Sequence, residues 1–517
     1  MEKSSVMRTG HTIAPKGRVF PAALGILIVS SLAASGTSVL TPIRTSSQQP
    51  AQPARECNYL LLEGSELIDD CYCGRPTIFI PMRGTFRLRL LEENPLFARY
   101  ELWDVSFTAG PFDNVTYQVT GSGQYQLGGE VALLQDLFLE LKVDNGFTDK
   151  TCSFTNDTRT AERLWPMIGA SLTQSNGPII QFYRLRIAAA PVREIWFSTA
   201  RGFTSGRLPL PNVVTDGDLL SSTGRIVRRN ADLTQRLGIR PPVPDLGLDA
   251  VDILPGGEIA FSLAQDASSQ TLGQIQHGDL LWDRGGILKR NQDLTKTFGP
   301  MPPVPDIGLD AVQIDDNGLI YFSTQTNLFG EVSGPIQHGD IATSQGAIWK
   351  RNQDLLARFH PPDPKHDYGL DALYIWPLPS GEVWFSTTEG FADQQLNQIT
   401  PGDLLSDQGY IVFRNLELLS AFAPLEDVSD FGLDALYVVT DASPPADAPR
   451  IGTITADPQT GAVFIQWAGK GRVFQIERAA DAAGPFLPAG PIAPQVTCED
   501  PGAIAGAAQS FYRVRQW

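Results

Sequence analysis

Aspartate is the residue type whose spacing in this chain could do chemistry. It recurs in a Leu-Asp-Ala element whose four copies contain Asp249, Asp310, Asp371 and Asp434, at steps of 61, 61 and 63 residues. Calcium prefers carboxylate and carbonyl oxygens as ligands. A fold that brings the four copies to a common axis would therefore create a site for this cation. In the alternative interpretation, each carboxylate accepts backbone N–H groups of the neighbouring copy and has only a structural role.

Two further series keep the same spacing. A Gly-Asp element supplies a second set of carboxylates, and an Asn begins a short helical pattern about twelve residues later. Since Asp caps tight turns and Asn caps helix starts, we expect structural roles for both series rather than ligand binding. Their members are Asp218, Asp279, Asp340 and Asp403, and Asn230, Asn291, Asn352 and Asn415.

The sequence lacks the usual catalytic signatures, such as Gly-x-Ser-x-Gly, a phosphate-binding loop or His-Glu-x-x-His. His277 and His338 occupy equivalent positions in two copies of the repeat, but the other two copies have Asp216 and Pro401 at that position. We therefore expect a loop role for both histidines. A glycoside hydrolase or lyase could still use paired carboxylates, although near-identical copies argue against a single catalytic centre.

These aspartates belong to a unit of about sixty residues, and repetition at a fixed period of this size indicates a propeller, a solenoid or an array. Each copy contains four short strand patterns, a short helix and a Pro-rich crossing, which is typical of a propeller blade. The first copy begins at Glu194 without a Leu-Asp-Ala strand, and the last ends at Val439 without its partner. We therefore predict a closed four-bladed β-propeller over residues 192–440, in which 433–439 complete the blade begun by 195–199. A linear four-repeat solenoid is the alternative.

The order of these patterns resembles the hemopexin-like four-bladed propeller. The matching residues are Asp249-Ala250, Asp310-Ala311, Asp371-Ala372 and Asp434-Ala435. The resemblance covers about half of the chain and implies an architecture rather than a ligand. The blades here are longer than in that family. No cysteine lies between Cys152 and Cys498, so the disulfide that closes the family's ring is absent.

The N-terminal part of the sequence predicts an export signal followed by a β-rich domain. Basic residues, an apolar run and small residues over 1–36 are typical of a signal peptide, although an uncleaved anchor is the alternative. Residues 37–56 have the composition of a disordered linker. Alternating strand patterns predict a β-sandwich or barrel over 57–191.

The cysteines of this domain are disulfide candidates, but we expect no bridge within Cys71-Tyr72-Cys73, because a disulfide between cysteines so close in sequence is strained. The candidates are Cys57, Cys71, Cys73 and Cys152.

After a linker at 441–449, residues 450–517 resemble a small fibronectin-III-like sandwich. The fold class is thus all-β, with three β domains in series. The net charge of −17 disfavours nonspecific binding to nucleic acid. We expect an exported, extracellular, cell-surface or periplasmic protein that binds a protein or a polysaccharide without catalysis. We expect no cofactor other than calcium and no transmembrane span in the mature chain. A purely structural component of an envelope or matrix is a further alternative.

Overall fold

The computed structural model describes residues 27–30, 56–129, 133–177, 181–300, 306–377, 380–445, 447–457, 459–501, 503 and 509–517. Strands dominate the regular elements, so the protein is all-β, as predicted. No helix in these ranges is long and apolar enough to cross a bilayer. The predicted signal peptide and linker lie outside the described residues, apart from Glu56 and strand β1 (Leu27–Ser30), which pairs antiparallel with residues 509–512.

Residues 56–190 form one sheet that closes on itself. From β3 to β10 each strand pairs antiparallel with the next, and β10 also pairs with β3, while β2 lies beside both β10 and β4. Of the two predicted alternatives, sandwich and barrel, the closed pairing is that of a barrel. The strands are β2 (Glu56–Leu61), β3 (Glu66–Cys71), β4 (Ile78–Glu93), β5 (Phe97–Phe112), β6 (Val115–Gly128), β7 (Leu134–Asp144), β8 (Asp149–Asn156), β9 (Ile168–Gln174) and β10 (Gln181–Ala190).

The barrel strands alternate apolar and polar residues, so one face of the closed sheet is apolar. In β7, Leu137, Leu139 and Leu141 are buried, while the residues between them face outward. Inward-facing side chains such as these fill the interior, and aromatic rings stack at Tyr59 on Phe86. Removal of this apolar surface from water is the main stabilising contribution to such a core.

The prediction that Cys71 and Cys73 are not bridged was wrong. The structure joins them in a disulfide with a Cα–Cα distance of 5.2 Å, which lies within the ordinary range. The single intervening residue suffices because β3 ends at Cys71 and the chain then turns at Tyr72. Of the other candidates, Cys152 is a buried thiol inside the barrel, and the Cys57 thiol lies 3.9 Å from the carbonyl oxygen of Asp441.

Residues 192–440 form four four-stranded antiparallel sheets, one for each repeat. The sequence-distant strands at the two ends pair in the first of them, with Ile195 opposite Val438 and Phe197 opposite Leu436. The predicted pairing of the two ends is therefore present. The innermost strands of the four sheets contact one another in cyclic order, so the sheets form a closed ring rather than an open row. We call these four sheets the ring.

The bounds of the ring elements follow the repeat. The strands are β11 (Val192–Phe197), β12 (Phe203–Thr204), β13 (Val213–Val214), β14 (Leu219–Ser221), β15 (Arg225–Arg228), β16 (Val251–Leu254), β17 (Glu258–Phe261), β18 (Ala267–Ser269), β19 (Gly273–Ile275), β20 (Leu280–Trp282), β21 (Gly286–Lys289), β22 (Val312–Ile314), β23 (Ile320–Phe322), β24 (Leu328–Gly330), β25 (Gly334–Ile336), β26 (Ile341–Thr343), β27 (Ile348–Lys350), β28 (Leu373–Ile375), β29 (Val383–Phe385), β30 (Phe391–Ala392), β31 (Gln398–Ile399), β32 (Leu404–Ser406), β33 (Tyr410–Phe413) and β34 (Leu436–Thr440). The helices are α1 (Asn230–Thr234), α2 (Asn291–Thr295), α3 (Asn352–Leu356) and α4 (Asn415–Leu418), with 3-10 turns at Gln235–Leu237 and Lys296–Phe298.

Each repeat also contains a two-stranded hairpin that the sequence analysis did not predict. The hairpins are β12–β13, β18–β19, β24–β25 and β30–β31. Three of them form an isolated bridge to the preceding crossing, as between Ile239 and Ser269 and between Pro300 and Gly330. The hairpins therefore connect neighbouring sheets of the ring.

The C-terminal residues, together with strand β1, form two small sheets that pack on each other. One sheet has the order β35-β36-β39, and the other has the order β1-β40-β37-β38. Ile465, Trp467, Ile476 and Tyr512 fill the space between them. We call this part the C-terminal sandwich. Its strands are β35 (Arg450–Ala456), β36 (Val463–Ala468), β37 (Phe474–Ala479), β38 (Leu487–Pro488), β39 (Thr497–Asp500) and β40 (Gln509–Gln516).

Asp441 joins the barrel, the ring and the C-terminal sandwich. Its buried carboxylate accepts hydrogen bonds from the Asn58 backbone N–H at 2.7 Å, Arg193 Nε at 2.8 Å, Arg515 Nη2 at 3.3 Å and Trp517 Nε1 at 2.6 Å. Burial raises the pKa of Asp441, but Arg193 and Arg515 outweigh it and hold the pKa below its ordinary value. One ionised side chain thus connects all three parts of the chain.

Candidate functional site

The four Leu-Asp-Ala aspartates gather at one end of the ring. Each stands two residues before an innermost strand, β16, β22, β28 or β34, and these strands contact one another in cyclic order. The carboxylates consequently influence one another across the ring axis. We call this end of the ring, with Asp249, Asp310, Asp371 and Asp434, the acidic end.

Burial is the main reason why these carboxyl groups resist ionisation. It raises the pKa of Asp249 to about 7, with a further contribution from Asp371, and it raises the pKa of Asp371 to about 6. The pKa values of Asp310 and Asp434 lie well above their ordinary value, because burial is reinforced by the neighbouring carboxylates. The acidic end is therefore a place where added positive charge is favourable.

The hydrogen-bond partners of the four carboxylates differ. Gln325 Nε2 donates to Asp249 Oδ2 at 2.6 Å, and Thr388 Oγ1 donates to Asp371 Oδ1 at 2.9 Å. These donors are side chains, so the interpretation that each carboxylate accepts backbone N–H groups of the next copy was wrong. The donor in each case lies in a loop that follows the second strand of a sheet. Within the described residues, none of the four forms an ion pair with Lys or Arg.

No three His, Cys, Asp or Glu side chains in the described ranges lie close enough together to hold a metal ion. The carboxylates at the acidic end are near enough to affect one another's pKa values, but they do not form a preassembled chelate. A calcium ion at Asp249, Asp310, Asp371 and Asp434 stays a prediction.

Two histidines lie beside the acidic end. His277 Nδ1 lies 2.8 Å from Asp266 Oδ1, and its Nε2 lies 3.6 Å from Asp306 Oδ1. His338 Nε2 lies 3.4 Å from Asp367 Oδ2. These contacts anchor both imidazoles to loop carboxylates, which agrees with the loop role predicted for them.

The far end of the ring is closed by an arginine from the C-terminal sandwich. Arg472 Nη1 donates to Asp252 Oδ2 at 3.2 Å and to the Ile253 carbonyl at 2.7 Å, while Nη2 donates to the Ile314 carbonyl at 2.8 Å. Asp252 lies in innermost strand β16 and is fully buried. Burial raises the pKa of Asp252 to about 6 despite Arg472. The far end of the ring thus receives an arginine, whereas no Lys or Arg in the described part of the chain pairs with the aspartates of the acidic end. There, His277 and His338 partly offset the burial that raises the pKa values of Asp249 and Asp371.

The Gly-Asp series caps its own turn, as predicted. In the first copy, Asp218 Oδ2 accepts the Thr215 N–H at 3.2 Å, and the same carboxylate accepts Arg229 Nη1 at 2.6 Å and the Asn230 N–H. The other three copies repeat this pattern at Asp279, Asp340 and Asp403. These carboxylates are therefore structural.

The helix-capping interpretation of the Asn series was wrong. Asn230 is the first helical residue, Arg229 holds the cap position, and no side chain caps the helix. The buried Asn230 amide instead donates to the Gly247 carbonyl at 3.1 Å and accepts the Leu246 N–H at 3.2 Å. Asn291, Asn352 and Asn415 repeat these contacts. The Asn side chain therefore points inward, where its hydrogen bonds connect two buried loops.

A third aspartate series was missed. Its members stand four residues before the Leu-Asp-Ala aspartates, with the same steps of 61, 61 and 63 residues, and this spacing is the signal that could have revealed them. Asp245 Oδ1 accepts the Gly247 N–H at 2.8 Å, and it holds a turn in which Gly247 has a φ of 73°. The members are Asp245, Asp306, Asp367 and Asp430.

No family model matches the chain, and no curated protein matches it. Among solved structures, it is similar to the extracellular domain of a proposed one-component system, BT4673, from B. thetaiotaomicron, at 8% identity over 86% of this chain and 94% of the other, with a TM-score of 0.19. A second structure, the extracellular domain of a proposed hybrid two-component system BT4673 from B. thetaiotaomicron, matches at 10% identity over 79% and 67%, with a TM-score of 0.14. TM-scores this low carry no argument about fold or function.

Proposed function

We propose that the protein is an exported, non-catalytic binding protein, and that the ring is a four-bladed propeller whose acidic end receives a positively charged group of the partner. One observation carries this proposal. Both ends of the ring contain buried carboxylates, but among the described residues only the far end receives a Lys or Arg side chain, Arg472 on Asp252. An external cation at the acidic end would favour the ionised form of these carboxyl groups.

A protein partner fits this site better than a neutral polysaccharide. A lysine or arginine side chain would bring one positive charge to four carboxylates whose pKa values are raised by burial and by one another. Binding a cation shifts such groups toward their ionised form, so proton release accompanies binding. A calcium ion that bridges the carboxylates to an acidic polysaccharide is the alternative occupant.

The test is selection on the immobilised full chain, with a displayed random peptide library and a glycan array. We expect enrichment of peptides that contain a lysine or arginine, and loss of at least about tenfold in affinity when the four axial aspartates are changed together to asparagine. The matched control changes four exposed acids of the barrel and the C-terminal sandwich, which removes the same number of carboxyl groups. The control positions are Glu93, Asp113, Glu140 and Asp481.

Equal binding by the axial variant and by the wild type would contradict the proposal. Enrichment of acidic glycans that requires calcium and is abolished by EDTA would replace a protein partner with a polysaccharide. A thermal midpoint raised by calcium and lowered by EDTA would support the axial ion directly.

A glycoside hydrolase or lyase is a second candidate, and one observation favours it. The four axial carboxyls have unequal surroundings, since Asp249 accepts from Gln325 and Asp371 accepts from Thr388. Unequal surroundings are what separate an acid from a base in paired-carboxylate catalysis. Release of reducing ends from an arrayed glycan, absent in the axial variant, would establish this function instead.

A further inference from the structure

The Cys71–Cys73 disulfide lies in an exposed turn of the barrel at the end of β3. Cys73 and Gly74 are exposed, and Tyr72 is 76% exposed between the two cysteines. This disulfide does not connect two separate strands, because Cys71 ends β3 and Cys73 lies in the turn that follows it.

Stabilisation of the fold does not explain this bond. A disulfide stabilises a protein mainly by closing a loop in the unfolded chain, and the contribution grows with the length of that loop. The Cys71–Cys73 loop contains one intervening residue, which is close to the smallest loop that a disulfide can close. A bond with so little structural effect and so much exposure is suited to reaction.

The two sulfur atoms are not equivalent. The Cys73 backbone N–H donates to Cys71 Sγ at 3.0 Å, so negative charge on Cys71 would be stabilised. In thiol–disulfide exchange, the sulfur that better bears negative charge departs, and the accessible sulfur is attacked. The geometry therefore makes Cys73 Sγ the attacked atom and Cys71 Sγ the leaving group.

We propose that the Cys71–Cys73 disulfide exchanges with thiols of other polypeptides. A thiolate bonds to Cys73 Sγ, the Cys71–Cys73 bond breaks, and its electron pair passes to Cys71 Sγ. A second thiolate then attacks the partner's sulfur in the mixed disulfide and releases Cys73. Two thiols are oxidised to one disulfide, and their two protons end on Cys71 and Cys73.

The surface beside the bond favours a partner thiol with an apolar neighbour. Tyr72 packs on Phe182 with ring centroids 5.2 Å apart, and much of the Tyr72 ring is left open to solvent. The nearby cations are engaged within the protein, since Arg75 pairs with Asp69 and Arg184 pairs with Asp70. Aromatic contact rather than charge would therefore select the partner.

The test exposes the oxidised full chain to reduced glutathione, followed by acid quenching, alkylation and peptide mass spectrometry. We expect the mixed disulfide on Cys73 to exceed that on Cys71 by at least about tenfold. In the Cys71→Ser variant, oxidised glutathione should form the adduct on Cys73 and release one reduced glutathione. This adduct should persist, because the thiol that would expel it is missing. Buried Cys152 should stay unmodified in the same samples.

Equal adducts on both sulfurs would overturn the assignment of the attacked atom. A disulfide that resists excess glutathione in the folded chain, but reacts once the chain is unfolded in urea, would overturn the proposal itself. Tyr72→Ala provides the specificity test. It should slow exchange with a cysteine peptide flanked by phenylalanine about fivefold or more, and leave the rate with glutathione unchanged.

Discussion

Replacing Asp249 by Asn should stabilise the protein, and the gain should grow with pH. The pKa of Asp249 is about 7 in the folded protein and 3.8 ordinarily, so the folded state holds this proton more tightly than the unfolded chain does. Below about pH 4 the Asp249 carboxyl group is neutral in both states and does not lower the free energy of unfolding. As the pH rises toward 7, the unfolded chain ionises freely while the folded state cannot, and the free energy of unfolding falls.

The magnitude follows from the two pKa values. At about 1.4 kcal/mol for each tenfold change in proton affinity, the difference between 3.8 and about 7 corresponds to about 4 kcal/mol above neutral pH. Only about 1.6 kcal/mol of this cost is present at about pH 5. Asparagine stays neutral and keeps an oxygen that can accept the hydrogen bond from Gln325. The variant should therefore gain about 3 kcal/mol more at about pH 8 than at about pH 5.

The assay is urea unfolding at both pH values, followed by fluorescence of the buried ring tryptophans, which include Trp196 and Trp384. Asp113→Asn, at an exposed turn of the barrel, is the control and should change stability equally little at either pH. A stability change for Asp249→Asn that is the same at both pH values, or a loss at about pH 8, would refute the reasoning. Asp249 would then ionise without cost, and the acidic end would be well solvated.

The remaining predictions concern contacts that hold the architecture together. Asp441→Asn should cost about 3 kcal/mol near neutral pH, because it leaves Arg193 and Arg515 without their buried partner; limited proteolysis should then cut between the ring and the C-terminal sandwich. Since the folded-state pKa of Asp441 is lowered, its contribution is complete above about pH 4 and disappears as the pH falls through that lowered value, so wild type and variant should converge in acid. Asn291→Ala should lower the free energy of unfolding by about 3 kcal/mol, because it leaves buried groups such as the Gly308 carbonyl unpaired. A loss of about 1 kcal/mol would instead indicate an ordinary helix cap. Arg472→Met should lower the free energy of unfolding by about 3 kcal/mol or more. In a double-mutant cycle, adding Asp252→Leu should recover part of this loss. Additive losses would show that the side chains of Arg472 and Asp252 do not interact.

The repeat made the ring predictable from the sequence. The half-hairpins at Glu194 and Val439 could satisfy their strand edges only by pairing with each other, and Ile195 does lie opposite Val438. The sequence also indicated the acidic end, because equivalent positions in repeated units are brought to equivalent places around an axis. The alternation of apolar and polar residues in the strands of residues 57–191 could not distinguish a barrel from a sandwich, since both folds have inward-facing residues at every second position.

Other features depend on contacts that no local pattern encodes. Asn230 looks like a helix cap in the sequence, but burial turns its amide toward two loops that are separated along the chain. Arg472 lies 220 residues from Asp252, so nothing near either residue reveals their ion pair. The Cys71–Cys73 bond was missed because a general expectation of strain was applied to a turn whose Cα–Cα distance permits the bond.

The most direct test of the central claim is one titration of a selected lysine-containing peptide into three full-length proteins. These are the wild type, the variant with asparagine at 249, 310, 371 and 434, and the variant with four exposed acids neutralised. We predict that affinity is unchanged in the exposed-acid variant and falls at least about tenfold in the axial variant, with proton release on binding to the wild type. Equal affinity for all three proteins, with no proton released, would contradict the claim that the acidic end of the ring is the binding site.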